Sequence, residues 1–355
     1  MMIKVLMIGN DSSVHGGITS VITQLLKHDW KKENVQMDFI PTYIDRNLFL
    51  KFCFFIYSYF RIKKYLKIKR PDIVHIHMSY KGSFYRAYLI HKLCIRKKIK
   101  VVVHLHGSEF EKWFNSITTN RQKRIKLFLR RVDILVVLGS KWKHKILRIE
   151  PSTRVAVVSN TVDIPSRLAC WNENVFNILF LGVLINRKGV ADLIEAISLL
   201  EEQNKLGNIR VIIAGNGSKF VELKNLVQEK GLENIVDFIG WVNREQKKRI
   251  LASSQLLVLP SYNEGMPVSI LEAISYGLPV IATDVGDINS AVINGKNGFL
   301  FQPGNIEVLA DRIYQISHNK KLFQKMSRNS RQLAEKSFSS KNYFNVVSSI
   351  YRNLK

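Results

Sequence analysis

The chain has 355 residues, of which 54 are Lys or Arg and 28 are Asp or Glu, giving a formal net charge of +26 at pH 7. At about 100 to 200 residues per domain this length predicts two domains. An apolar content of 46% excludes a disordered chain. The three cysteines, Cys53, Cys94 and Cys170, form no CxxC pair, which favours a reducing compartment over a disulfide-rich secreted protein.

The first residues form a short apolar run that leads directly into Gly and Asp, which predicts a first strand rather than an export signal. The most apolar stretch, residues 48–60, contains Lys51. It is shorter than the about 20 residues that a membrane-spanning helix requires. We therefore expect no transmembrane segment.

Short runs rich in Val and Ile alternate with helical segments along the whole chain. The strands predicted in the first half are residues 3–8, 35–40, 72–76, 100–105, 134–138 and 155–158. The strands predicted in the second half are residues 177–181, 209–214, 235–239, 256–259 and 280–282. Strands that alternate with helices form parallel sheets through right-handed crossovers. The pattern predicts an α/β fold with two doubly wound, Rossmann-like domains of about six strands each.

We predict an N-terminal domain over residues 1–165 and a C-terminal domain over residues 175–338, joined by a polar linker. The last segment, residues 339–355, has the apolar stripe of an amphipathic helix, and we expect it to cross back to the first domain. Ligands of such sheets bind outside the carboxyl ends of the strands. With the two domains facing each other, the site is expected in the cleft between them.

The positive charge is concentrated in the N-terminal half. Residues 1–165 hold 31 Lys or Arg and 11 Asp or Glu, a net charge of +20, which leaves +6 for the rest. Segments 51–70, 91–100 and 120–131 place aromatic side chains between the basic ones. Such a surface fits an anionic membrane, with nucleic acid and plain solvation as alternatives. Nucleic acid is the less favoured partner, because no zinc finger, RNP or GXXG signature is present.

The stretch from Leu257 to Gly277 is the most informative for chemistry. A strand ends at Pro260, a polar loop carries Glu264, and a helix that begins near Pro267 contains Glu272. The N–H groups at the start of this helix would point out of its positive end, an arrangement that binds a diphosphate. The amides expected there are those of Met266, Val268 and Ser269.

The sequence of this stretch resembles that of the retaining glycosyltransferases of family 4, whose E-x7-E signature corresponds here to Glu264 and Glu272. The resemblance covers nearly the whole chain, and six further motifs occur in register. These motifs are Gly16 with Gly17, His106 with Gly107, Asn160, Gly182 to Gly189, Gly215 with Gly217, and Gly240 to Val242. The resemblance implies the GT-B fold, with the acceptor bound by the first domain and the nucleotide sugar by the second.

The resemblance also implies a role for each site residue. Glu264 would bond the hydroxyls of the donor sugar, Glu272 would hold the ribose, and His106 would contact the sugar. Lys188 and Arg187 would neutralise the departing diphosphate, and with Glu264 and His106 they form the implied catalytic set. The other implied donor-binding residues are Gly17, Gly182, Gly215, Asn216, Trp241, Val242, Gly265, Met266, Val268 and Ser269.

The implied activity is metal-independent transfer of a hexosyl or N-acetylhexosaminyl group from a nucleotide sugar, with UDP favoured over GDP. The expected acceptor is a lipid-linked glycan of bacterial polysaccharide, lipopolysaccharide or capsule synthesis. We expect a cytoplasmic protein, peripheral on the inner face of the cell membrane. No cofactor or metal is expected, because the chain has no D-x-D motif to hold the diphosphate through a divalent cation.

Several alternatives stay open. His75, His77, His104 and His106 occur at i, i+2 spacing on two predicted strands, so their imidazoles share a face and are of a type that binds zinc. The motifs also fit a sugar-nucleotide epimerase or a phosphorylase of the same fold. An inactive protein that binds a membrane or nucleic acid is the last alternative.

Several positions depart from the family pattern. Val183 stands where the family usually has Arg, and Arg187 is the candidate to replace that charge. The usual Gly-Gly and a following Glu read here as Gly286-Asp287 and Ser290. The loop that contains Gly286 and Ser290 often borders the donor sugar in the family. Its departure from the pattern therefore concerns which sugar is transferred.

Overall fold

The computed structural model describes residues 2–355, which form two compact units, each with its own parallel sheet. The first unit runs to Asn160 and includes Lys341–Lys355, and the second is Thr161–Ser340. The units therefore divide before the predicted boundary at residue 165, and the C-terminal segment belongs to the first unit. In residues 2–355 no helix has the length and apolarity needed to cross a membrane.

Each sheet has six parallel strands, which confirms the predicted α/β class with two doubly wound sheets. The strands of the first sheet are β1 (Ile3–Asn10), β2 (Val35–Tyr43), β3 (Ile73–Met78), β4 (Lys100–Leu105), β5 (Ile134–Val137) and β6 (Val155–Val157). The strands of the second sheet are β7 (Phe176–Leu181), β8 (Ile209–Ala214), β9 (Val236–Gly240), β10 (Leu256–Leu259), β11 (Val280–Thr283) and β12 (Gly298–Phe301). β12 lies outside the predicted strands, since its four residues begin with Gly and show no clear period.

The strand orders place a switch point in each sheet. The first sheet has the order β2-β1-β3-β4-β5-β6, and the second has the order β12-β11-β10-β7-β8-β9. In each, the chain moves outward from its first strand on one side and then returns to the other side. The switch points therefore lie between β1 and β3 and between β7 and β10, where ligands of such sheets bind.

Helices cover the sheets. In the first unit they are α1 (Gly17–Lys27), α2 (Leu48–Ile68), α3 (Gly82–Arg96), α4 (Phe110–Ser116), α5 (Thr119–Arg131) and α6 (Ser140–Ile149). The helices that follow are α7 (Val190–Glu202), α8 (Phe220–Glu229), α9 (Arg244–Ser253), α10 (Val268–Ser275), α11 (Ile306–Ser317), α12 (Lys320–Ser337) and α13 (Ser340–Leu354). Side chains of α2 to α6 form one hydrophobic core with alternate residues of β1, β3, β4 and β5.

The opposite face of the first sheet is packed against α13. Tyr351 of this helix is fully buried, and its hydroxyl lies 2.6 Å from Nδ1 of His75 on β3. Phe344 stacks on the ring of His28 with 3.7 Å between centroids. These contacts join the end of the chain to its beginning and explain why α13 belongs to the first unit.

Four histidines lie on this face at the carboxyl ends of β3 and β4. His75, His77 and His104 are buried, and the rings of His77 and His106 stack with 5.1 Å between centroids. Burial lowers the pKa of His75 and that of His106 to about 3. Burial, with the neighbouring imidazoles, also holds the pKa values of His77 and His104 well below their usual range. The cluster is therefore neutral at physiological pH.

Acid is expected to destabilise the first unit. An unfolded His titrates near pH 6.5, so below that pH the unfolded chain binds protons that the folded cluster does not. The free energy of unfolding should fall as pH falls from about 6.5 toward 3, by up to about 1.4 kcal/mol per pH unit for each histidine. Hydrogen exchange of the β3 and β4 amides, measured as a function of pH, reports this unit alone.

The matched variants are His104→Leu and His144→Leu, since His104 is buried in the cluster whereas His144 is exposed on α6. His104→Leu should flatten the pH dependence, and His144→Leu should leave it unchanged. Equal slopes in the two variants would contradict the assignment of the acid sensitivity to the cluster.

Candidate functional site

The loops that follow β7 and β10 meet at the switch point of the second sheet. After β7 the chain forms a short 3-10 turn, Asn186–Lys188, which ends at Gly189 with a φ of 66°. A Cβ atom on Gly189 would lie 2.0 Å from the carbonyl oxygen of Pro260 in the loop after β10. The two loops thus touch backbone to backbone, and only glycine fits at this contact.

Two cationic side chains lie beside Glu264 where these loops meet. Lys188 Nζ lies 2.5 Å from Glu264 Oε1, and Arg187 Nη1 lies 3.8 Å from Glu264 Oε2. The Lys188 and Glu264 side chains are only 12% and 8% exposed, so their interaction is little screened by solvent. Arg187 also donates to the carbonyl of Asn263 at 2.5 Å. With all three groups ionised the cluster keeps one positive charge, which suits an anionic ligand.

Helix α10 begins directly after this cluster. Its first N–H groups have no carbonyl one turn earlier to bind, and they give this end of the helix its partial positive charge. Met266 is buried, while Val268 and Ser269 are partly exposed in the first turn. The positive end of α10 therefore lies at Val268 and Ser269, and anion binding by the amides of Met266, Val268 and Ser269 stays a prediction.

Glu272 lies one turn further along α10 and has its own cation. Lys247 Nζ of α9 lies 2.5 Å from Glu272 Oε1, and both side chains are partly exposed. Lys247 is absent from the predicted site residues. No motif marks it, because the contact depends on how α9 packs beside α10.

The loops after β7 and β8 also pack closely. A Cβ on Gly215 would lie 1.8 Å from the carbonyl oxygen of Gly182, and one on Gly217 would lie 2.3 Å from that of Leu184. The backbone N–H of Leu184 donates to the carbonyl of Asn216 at 2.9 Å. Gly215 and Gly217 therefore have a packing reason to be glycine, whatever they contact in a ligand.

Two more segments named in the sequence analysis are the turn after β9 and the loop that contains Gly286. Trp241 is 43% exposed and Val242 is partly exposed in the turn between β9 and α9. The loop that contains Gly286 lies on the loop of Glu264, because a Cβ on Gly286 would be 2.1 Å from the Glu264 carbonyl oxygen. The backbone N–H of Asp287 donates to the carbonyl of Gly265 at 3.0 Å.

The first unit holds the other predicted site residues, Gly17 and His106, in the segments that follow β1 and β4. Gly17 is the first residue of α1, and a Cβ there would meet nothing within 4 Å. His106 follows β4, and its Nε2 lies 2.9 Å from Nδ1 of His77. A Cβ on the next residue, Gly107, would lie 2.6 Å from Oγ of Ser79, which explains the glycine. The sequence motif marks His106. It does not mark His77, whose Nδ1 contacts the His106 ring.

His75, His77 and His104 each place a ring nitrogen within 4.8 Å of the others, so these side chains are of the type and spacing that can hold a metal ion. The rings stack with interplanar angles of 9° to 28°, as neutral aromatic rings do in a core. The expectation of no metal and the alternative of a zinc site both remain predictions.

Two family models match the chain in succession. The model described as "Glycosyltransferase Family 4" matches residues 19–165, and the model described as "Glycosyl transferases group 1" matches residues 170–333. The first match lies almost wholly in the first unit and the second match lies in the second unit.

A curated relative is the UDP-Gal:alpha-D-GlcNAc-diphosphoundecaprenol alpha-1,3-galactosyltransferase of Escherichia coli, 29% identical over 329 residues that cover 85% of this chain and 80% of the relative. Among solved structures, sucrose-phosphate synthase from Thermosynechococcus elongatus aligns with a TM-score of 0.82 at 17% identity, over 99% of each chain. Anabaena HepE in complex with UDP aligns with a TM-score of 0.77 at 17% identity, over 99% of this chain and 100% of that one. At these identities the structural likeness shows the fold, which is GT-B as expected. Together with the two consecutive family matches and the E-x7-E segment, these findings show that the chain belongs to the family 4 glycosyltransferases.

Proposed function

We propose that the protein transfers a sugar, with retention, from a UDP-sugar to a lipid-linked glycan in bacterial surface polysaccharide synthesis. The observation that carries this proposal is the cluster of Lys188, Arg187 and Glu264 at the switch point, next to the first turn of α10. It combines a positive centre for a diphosphate with a carboxylate that can bond sugar hydroxyls.

The choice of donor rests on the relatives. The E. coli relative is named for UDP-galactose, and HepE was solved with UDP. In this chain the amides of α10 would contact the phosphates, and Glu272 on the same helix would accept from the ribose hydroxyls. Trp241, Val242 and Asn216 would flank the nucleobase.

The chemistry follows from the charge of the cluster. As the anomeric C–O bond breaks, negative charge develops on the diphosphate, and Lys188 and Arg187 are already in place to stabilise it. The acceptor hydroxyl attacks the anomeric carbon from the same face and loses its proton to a departing phosphate oxygen. Glu264 positions the donor sugar by hydrogen bonds to its hydroxyls and forms no covalent bond to the anomeric carbon. Because two cations and a helix end supply the countercharge, the proposal requires no metal ion.

The acceptor is proposed to be a glycan carried on a lipid diphosphate. The E. coli relative is named for a diphosphoundecaprenol acceptor, and such a lipid is confined to the membrane. The net charge of +20 in residues 1–165 favours approach to an anionic surface. We therefore propose that the protein acts on the inner face of the cell membrane.

The donor class is tested by thermal stability with UDP, GDP, ADP and their sugar conjugates, each with and without EDTA. A ligand at about 100 times its dissociation constant adds roughly 2.7 kcal/mol to the free energy of unfolding. We expect stabilisation by UDP and one UDP-sugar, unchanged by EDTA. Stabilisation by GDP alone would change the donor, and loss of the shift in EDTA would contradict metal independence.

The roles of the ion pair are tested by Glu264→Ala, Lys188→Met and the double variant. Each single variant should lower kcat by about 100- to 1000-fold, the loss typical of one group that stabilises the transition state. Because the two groups act together, the double variant should cost about as much as one single variant. UDP release in the presence of acceptor measures the rate.

The matched control is the surface pair of Lys230 and Glu195, whose charged atoms lie 2.8 Å apart with side chains 32% exposed. Lys230→Met and Glu195→Ala should leave transfer unchanged. Near-full activity in a folded Glu264→Ala variant would remove Glu264 from the site.

A further inference from the structure

Helix α2 presents an apolar stripe to its surroundings. Phe49, Phe52, Ile56 and Phe60 recur at the three- and four-residue spacing that puts side chains on one face of a helix, and Phe49 is 73% exposed. The helix packs on the first sheet with its other side. The buried residues of that side are Phe55, Ser58, Ile62 and Leu66. An exposed row of four large apolar side chains marks an interaction surface.

The same face becomes basic toward the end of the helix. Lys63, Lys64 and Lys67 continue the spacing of the apolar stripe and are exposed. Arg61 beside them has its guanidinium 5.5 Å from the centre of the Tyr57 ring. No Asp or Glu occurs anywhere in α2, nor in α3 or α5 of the same helical layer. The surface therefore combines exposed aromatic rings with a positive charge that no carboxylate of these helices reduces.

We propose that α2 is a membrane-docking helix, which buries its apolar stripe at the headgroup boundary of an anionic leaflet and binds lipid phosphates through Lys63, Lys64 and Lys67. Helices with apolar rings on one side and lysines beside them bind membranes in this way, parallel to the surface. The inference rests on the proposed function only in one respect: a lipid-linked acceptor gives such docking a purpose.

Charge complementarity selects the lipid over the other occupants. A second copy of this chain would bring the same lysines and no carboxylate against α2, so the two surfaces would repel each other. A nucleic acid would match the lysines and could stack its bases on the Phe rings. It would leave the exposed aliphatic side chains of Leu48, Leu50 and Ile56 in water, since these offer no ring for stacking. An anionic bilayer matches both the apolar and the basic part of the face.

The chain carries its own probe of this surface. Cys53 is exposed on the apolar stripe of α2, Cys170 is exposed in the second unit, and Cys94 is buried. Burial raises the pKa of the Cys94 thiol to about 12, which keeps it unreactive at neutral pH. Cys170→Ser protein can therefore be labelled at Cys53 with a polarity-sensitive nitrobenzoxadiazole dye, and Cys53→Ser protein labelled at Cys170 is the control.

With vesicles of phosphatidylglycerol and phosphatidylethanolamine, the emission of the Cys53 label should shift to the blue and brighten, while that of the Cys170 label should not change. Vesicles of phosphatidylcholine should give a much smaller effect. Added salt should weaken binding without abolishing it, because apolar burial persists when the lysines are screened. No change of the Cys53 label on anionic vesicles would overturn the proposal.

Two sets of variants separate the two contributions in vesicle sedimentation. Phe49→Ser, Phe52→Ser and Phe60→Ser together should lower partitioning on the order of 100-fold. Lys63→Gln, Lys64→Gln and Lys67→Gln together should lower it by a similar factor at low salt and by little at high salt. Val221→Ser, at a residue 69% exposed on α8, is the control for loss of an exposed apolar side chain.

Failure of the docking proposal can be distinguished from failure of the proposed function, because vesicle binding tests the first and stabilisation by UDP tests the second. Stabilisation by UDP should be the same in the α2 variants and in the unchanged protein, because α2 holds none of the donor-binding residues. Vesicle binding without any response to nucleotides would support the docking helix and contradict the transferase proposal. If the label shifts without vesicles as the protein concentration rises, the partner is a second copy of the chain and membrane docking is overturned. If it shifts with single-stranded RNA and not with vesicles, the partner is a nucleic acid.

Discussion

The ion pair between Lys188 and Glu264 is the interaction on which the site in the second unit depends. It joins the loops after β7 and β10, and both side chains are almost fully buried. Removing one partner of a buried pair leaves an uncompensated charge, which costs about 3 to 5 kcal/mol. Further bonds hold the same loops together, since the N–H of Tyr262 donates to the carbonyl of Arg187. The pair therefore holds both loops together, and with Arg187 also close to Glu264 the ionised cluster keeps one net positive charge.

Close backbone contacts make this geometry possible. Cβ atoms on Gly189, Gly215 and Gly286 would lie 2.0, 1.8 and 2.1 Å from carbonyl oxygens of neighbouring loops, and each glycine has a positive φ. A side chain at any of these positions would force two loops apart. The glycines that resemble a family motif are thus explained first by packing, and the packing in turn brings the Glu264 loop within reach of the cations.

The sequence predicts what depends on local pattern. Val- and Ile-rich runs mark eleven of the strands, and the apolar stripe of residues 339–355 marks the helix observed at Ser340–Leu354. It does not predict contacts that depend on packing between distant segments. The hydrogen bond of Tyr351 to His75 joins residues 276 positions apart, and the Lys247 contact to Glu272 joins two helices with no shared motif. Such pairs follow from the folded sheets and not from spacing along the chain.

The two units use positive charge differently. In the second unit Lys188 and Arg187 lie 2.5 and 3.8 Å from the buried carboxylate of Glu264, and solvent ions screen the Lys188 pair little because its side chains are only 12% and 8% exposed. In the first unit the lysines of α2 are exposed, and fields from exposed charges fade over about 8 to 10 Å at physiological salt. The cluster at Glu264 suits a ligand bound in direct contact. The exposed lysines of α2 suit a charged surface that comes within about 10 Å. Because the two sets of charges act over separate distances and in separate units, we expect ionic strength to alter the proposed membrane binding and to leave the proposed donor site unchanged.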